Sequence, residues 1–211
     1  MTGTIRKRVA VALAVLGMAS EAAAAQKPHR SAVQEFEQRV SAYVALRRVV
    51  ATQAPPPTIS SDSNAIVAAE DTLAEAIRAA RPQARVGDIF TTQAAHAFRG
   101  RIEGVLQRNH RDLTDLLAAI NGEAPSLPVQ LTVNDRFDWQ YGAQMPGDLI
   151  EALPPLPSFL QYRFVNRDLL LIDIEADLIV DVLPDALAVQ AQHRSDEPRG
   201  VAAVPLTPGA A

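Results

Sequence analysis

The stretch 168–174, Asp-Leu-Leu-Leu-Ile-Asp-Ile, limits what this chain can fold into more than any other. It follows 159–165, Phe-Leu-Gln-Tyr-Arg-Phe-Val, across a turn at Asn166 and Arg167. In a tight hairpin, Leu160, Tyr162 and Phe164 face Asp173, Leu171 and Leu169 on one side. Phe159, Gln161, Arg163 and Val165 face Ile174, Ile172, Leu170 and Asp168 on the other. The second strand is therefore apolar on both faces and must be an interior strand, covered by helices on one side and by something else on the other. Residues 178–183 read as a third strand, with 175–177 as connector and Pro184 as its end.

Upstream the period is helical. Val33, Phe36, Val40, Tyr43, Val44 and Val50 form one stripe of a helix over 31–53, which Pro55, Pro56 and Pro57 end. Asp62 or Ser63 caps a second helix that buries Ile66, Leu73, Ile77 and Ala80 and stops at Pro82. Thr91 or Thr92 starts a third, with Ala95, Phe98, Ile102, Val105 and Leu106 inward. A fourth spans 112–120, with Asn121-Gly122 as a left-handed stop. Beyond Pro125, alternation predicts strands over 129–133 and 136–141, and a short helix over 148–153. The fold class is α+β: about four N-terminal helices packed as a layer on a small C-terminal antiparallel sheet, in one domain over 26–187. Residues 188–211 lose all pattern and read as a disordered tail.

The first 25 residues stand apart. Arg6, Lys7 and Arg8 precede an apolar run over 9–19, and Ala23-x-Ala25 offers small side chains for cleavage after Ala25. That order of charge, apolar run and small residues is a secretory signal peptide, and the run falls short of the ~20 residues a spanning helix needs. The expected location is periplasmic or extracellular, as a protein that does not span the membrane after cleavage. The chain has no cysteine, so burial alone must hold the fold. A net charge of −4 argues against nucleic acid as a partner.

Three stretches carry a resemblance. One is Phe36-Glu37-x-Arg39-Val40-x-x-Tyr43-Val44-x-Leu46-Arg47; another runs from Glu75-Ala76-Ile77-Arg78 through Gly87-Asp88-Ile89-Phe90-Thr91. The third links Leu153-Pro154-x-Leu156-Pro157, Leu160-x-Tyr162-Arg163-Phe164-Val165 and Arg167-Asp168-Leu169 to Leu178-Ile179-Val180-Asp181. Together they resemble a family of uncharacterised exported bacterial proteins. The resemblance implies bacterial origin, export and a single domain, and brings no catalytic residue with it.

Candidate sites are few. Asp168, Asp173, Glu175, Asp177 and Asp181 could together hold a hard cation, but no glycine lies among them, Asp173, Glu175 and Asp177 alternate as a solvated face, and Arg163 and Arg167 can neutralise some of the group as cross-strand pairs. Arg78, Arg81, Arg85 and Asp88 flank the start of the third helix and are candidates for an anion pocket there. Phe137, Trp139 and Tyr141 form an aromatic row, either core or a sugar- or peptide-binding platform. His96 and His110 lack companions at metal-ligand spacing, and no cofactor or metal motif is present. The expected function is non-catalytic binding or interaction in the envelope, with an envelope protein or a second copy covering the doubly apolar strand. The alternative is a cell-wall or polysaccharide hydrolase working through two of Asp88, Asp168 and Asp173.

Overall fold

The computed structural model describes residues 27–123 and 131–187. The leader expected over 1–25 with its expected cleavage after Ala25, the start of the strand expected over 129–133 and the tail expected over 188–211 lie outside the described residues. Four helices come first: α1 (Lys27–Val50), α2 (Ser63–Ala80), α3 (Thr92–Arg108) and α4 (Leu113–Glu123). A single 3₁₀ turn (Trp139–Tyr141) and a short helix α5 (Gly147–Ala152) lead to β1 (Leu160–Val165), β2 (Asp168–Asp173) and β3 (Leu178–Leu183). This is the expected α+β arrangement. No helix among the described residues is long and apolar enough to cross a membrane.

Local chemistry sets the helix starts. The Asp62 carboxylate accepts from the Asn64 and Ala65 N–H groups, and the Thr91 hydroxyl accepts from Ala94 N–H. The Asp115 N–H donates to the Asp112 carboxylate, 2.7 Å away, at the start of α4. The stop expected at Asn121-Gly122 does not operate, because α4 runs on to Glu123. A helical glycine costs about 1 kcal/mol, and the burial of Leu116 and Ile120 on the same helix outweighs it.

The three strands form an antiparallel meander in the order β1-β2-β3. The hairpin register is the one read from the sequence, from Leu160 opposite Asp173 to Val165 opposite Asp168. Asn166 takes a left-handed φ of 53° at the turn, which asparagine tolerates better than most residues. Between β2 and β3 the register shifts at Leu171/Ile172, so that Leu171 meets Asp181 while Ile172 meets Ile179. Val180 is the extra residue of a β-bulge, and it reverses the facing of everything after it. Leu178, Val180 and Leu183 accordingly join the helix-side core, whereas Ile179 and Val182 face the opposite side.

The helix-side core is built around a cluster of aromatic rings that meet Phe98 tilted or edge to face. Phe36 of α1 and Phe98 of α3 lie 4.7 Å apart, with Phe90 at 5.1 Å and Tyr162 at 5.9 Å from Phe98. On the far side, Leu170 and Ile172 of β2 are as fully buried as their helix-side neighbours. What covers them is the chain itself: Phe137 packs onto Val165, Leu170, Ile172, Ile179 and Val182, with Leu131, Tyr141 and Ile174 around the rim. The second copy or partner expected over this face is therefore not needed for its burial.

The covering segment is not the pair of strands expected. Its strand-like pairing with the sheet is limited to isolated bridges, Arg136 to Leu178 and Ala143 to Phe164. The Asp138 carboxylate accepts from Gln140 N–H and closes a turn where a strand was expected. This segment also satisfies the sheet's edges. Asn134 N–H donates to Ile179 O at 2.8 Å, Ile179 N–H to Asp135 O at 3.0 Å, and Phe137 N–H to Asp177 O at 2.7 Å. On β1's outer side, Ala143 N–H donates to Phe164 O at 2.9 Å.

Candidate functional site

The bulge in β3 aims Asp181 at the loop that opens α3. Its carboxylate has no exposed surface. It accepts four backbone N–H groups, from Gly87 (2.8 Å), Ile89 (2.6 Å), Phe90 (2.7 Å) and its neighbour Val182 (2.8 Å). Gly87 takes φ +88°, a conformation that glycine adopts freely and that turns its N–H inward. Burial pushes the Asp181 carboxyl above the ordinary range, and the four donors pull against that shift. The anion sought by the loop before α3 is thus internal, supplied by the protein's own β3.

A second buried carboxylate ties α1 to the end of β2. Asp173, also without exposed surface, accepts from Arg47 Nε at 2.5 Å, from the Tyr43 hydroxyl at 2.8 Å and from Glu175 N–H at 3.2 Å. The Arg47 guanidinium reaches Glu175 as well, at 2.5 Å, and lies 4.0 Å from the centre of the Phe159 ring. Burial raises the Asp173 carboxyl, with Arg47 and Tyr43 opposing, and burial beside Asp173 raises the Tyr43 hydroxyl well above its usual value. Burial also disfavours the Arg47 cation, but its bonds to Asp173 and Glu175 outweigh that. The sequence held a sign of this pair. Arg47 continues the Phe36, Val40, Tyr43 stripe, and Asp173 sits on the core face of the hairpin, so each is a charge where an apolar side chain belongs.

The remaining candidates do not converge. Arg78 Nε donates to Asn134 O at 2.7 Å, and Arg81 Nη2 donates to Val180 O at 2.9 Å while its guanidinium sits 5.3 Å from the Tyr43 ring centre. Both arginines therefore bond to main-chain carbonyls rather than form an external anion pocket with Arg85 and Asp88. Asp88 accepts from Arg85 N–H at 3.0 Å. Asp168, whose carboxyl burial pushes up, accepts from Asp185 N–H at 2.8 Å. Arg163 donates to Gln161 Oε1 at 2.9 Å and lies 5.4 Å from the Trp139 ring centre. Trp139 packs edge-on against Phe137 at 5.0 Å and donates its indole N–H to Asp177 at 2.6 Å. Arg136 sits among Asp71 (2.7 Å), Asp177 (3.3 Å) and Glu70 (3.8 Å). No group of three or more potential metal ligands occurs among the described residues.

A different set of arginines does share a surface. Arg39 of α1, Arg85 of the α2–α3 loop and Arg99 of α3 line one open groove of about 520 Å³ with Asp88, Thr92 and Pro184. Arg99 is fixed by bonds to Pro184 O (2.7 Å) and Asp185 O (3.1 Å). Among the described residues, the side chains of Arg39 and Arg85 have only long ion pairs, 3.8 Å to Glu35 and 3.7 Å to Asp88. Sequence proximity pointed to Arg85 but missed Arg39 and Arg99, which only the packing of α1 beside α3 brings to it.

Fold and site together define an α+β protein whose three-stranded meander is covered by helices on one face and by its own 131–145 segment on the other. No family model matches the chain, and no curated protein or solved structure matches it significantly.

Proposed function

We propose that this chain is an exported bacterial protein that works in the periplasm or outside the cell by binding, without catalysis, an envelope partner. The support for a non-catalytic role is the engagement of the acids that a hydrolase would use. Glycoside hydrolysis takes two carboxyl groups that both reach the scissile bond. Asp173 is sealed beneath Arg47 and Tyr43, and Asp168 and Asp88 each accept a backbone N–H of the fold. The arginine-lined groove includes Asp88 but neither Asp168 nor Asp173. The leader-like residues 1–25 support export.

Two measurements test this reading. Mass spectrometry of material recovered from fractionated native cells should find a chain that begins at Gln26 outside the cytoplasm. An intact leader in the cytosol would refute export. Purified protein incubated with peptidoglycan sacculi and with soluble polysaccharide should release no fragments. Release that disappears in Asp88→Asn or Asp168→Asn would establish catalysis instead.

A further inference from the structure

We infer that the groove lined by Arg39, Arg85 and Arg99 is a binding site for an oxyanion of the phosphate class. The inference builds on the reading of the chain as a binder and names what one surface of it takes. The chain is acidic overall, at −4, yet this groove gathers three guanidinium groups from three separate elements, with Glu35 beside Arg39 and one carboxylate, that of Asp88, in its lining. That carboxylate is already held by the Arg85 N–H. Arginine is the side chain whose planar fork of donors matches phosphate oxygens, and its charge is constant at any working pH.

The three arginines divide the work. Arg99, anchored on Pro184 O and Asp185 O, is a preorganised wall of the site, since its position does not have to be fixed when a ligand arrives. Arg39 and Arg85 are half or more exposed and engaged only at 3.7–3.8 Å, so an oxyanion can recruit both without breaking a close bond. The N–H groups of Gly87, Ile89 and Phe90 in the loop before α3 do not contribute, because Asp181 occupies them. Two sources fit this chemistry, a soluble phosphate compound and the phosphodiester headgroup of an anionic lipid.

The test uses inorganic pyrophosphate followed by phosphorus NMR, which reports binding and cleavage in one experiment. Saturable shifts of the pyrophosphate signal are expected at constant ionic strength. The double variant Arg39→Ala/Arg85→Ala should weaken binding about tenfold or more, whereas Arg108→Ala, an exposed arginine elsewhere on α3, should leave it unchanged. Absence of saturable binding, or equal loss in both variants, overturns the site. Conversion of pyrophosphate to phosphate would instead overturn the non-catalytic reading while leaving the site standing. In a parallel arm, sedimentation with phosphatidylglycerol vesicles that pyrophosphate reverses assigns the site to a lipid headgroup. Pyrophosphate binding without vesicle binding assigns it to a soluble phosphate.

Discussion

Replacing Asp181 with alanine tests the internal-anion account of the loop before α3 directly. The substitution strips the acceptor from the N–H groups of Ile89 and Phe90, both buried, and of half-buried Gly87. A buried N–H left without a partner costs about 1–3 kcal/mol, so the two buried donors alone put the gross loss at about 2–6 kcal/mol. Removing the carboxylate also removes the burial penalty that raises its pKa, which offsets part of this. The net expectation is a loss of about 3 kcal/mol out of a typical total of about 5–15. In urea, with a slope near 2 kcal/mol per molar, the midpoint should fall by roughly 1.5 M at unchanged slope. Hydrogen exchange should locate the damage, with the amides of Ile89 and Phe90 losing protection before those of β2. Asp88→Ala is the matched control, because its carboxylate serves one exposed N–H and should cost no more than about 0.5 kcal/mol. Should the two alanine variants unfold within about 1 kcal/mol of each other, the account of Asp181 is wrong.

Three other outcomes can be checked. Arg47→Met should cost about 3–5 kcal/mol by leaving Asp173 buried without its cation, and adding Asp173→Leu should recover much of that in a double-mutant cycle measured by urea unfolding; additive losses would contradict the pairing. Phe137→Ala should cost about 3–5 kcal/mol and uncover Leu170 and Ile172, so that the variant binds a hydrophobic dye that the parent does not. Burial raises the folded-state carboxyl of Asp168 above its unfolded value, so the stability this group contributes is present below about pH 4 and is lost as pH rises through the raised value. Asp168→Asn lacks that loss, and its stability relative to the parent should therefore increase as pH rises from about 4 to 7; a decrease would reverse the assignment.

The hairpin was legible to the residue because two independent signals agreed. Period-two alternation fixed the faces, and the Asn166-Arg167 turn fixed the register. The helices were legible by their stripes and caps, with ends displaced by a few residues where a glycine or a short turn shifts the balance. The bulge at Val180 was not legible, since 178–183 is apolar at every position but Asp181 and reads the same with it or without it, and only pairing with β2 reveals the extra residue. Asp181 consequently read as one more member of an acidic group rather than as the buried acceptor for the loop before α3. The cover over β2's second face was missed for a related reason. Phe137 has the spacing of a strand residue, but the Asp138 turn after it is decided by side-chain-to-backbone bonding that periodicity does not register.

The margin of β3 is guarded partly by side chains: Arg81 takes the outward carbonyl of Val180, and Asp181 takes the amide of Val182. An unpaired strand margin is a template on which another molecule can grow a ladder. Here the templating groups are withheld by two residues whose first duty is to join helix and sheet. Loosening either one would therefore do more than soften the interior. It would also give the molecule an adhesive border, so loss of packing and self-association are expected to arrive together.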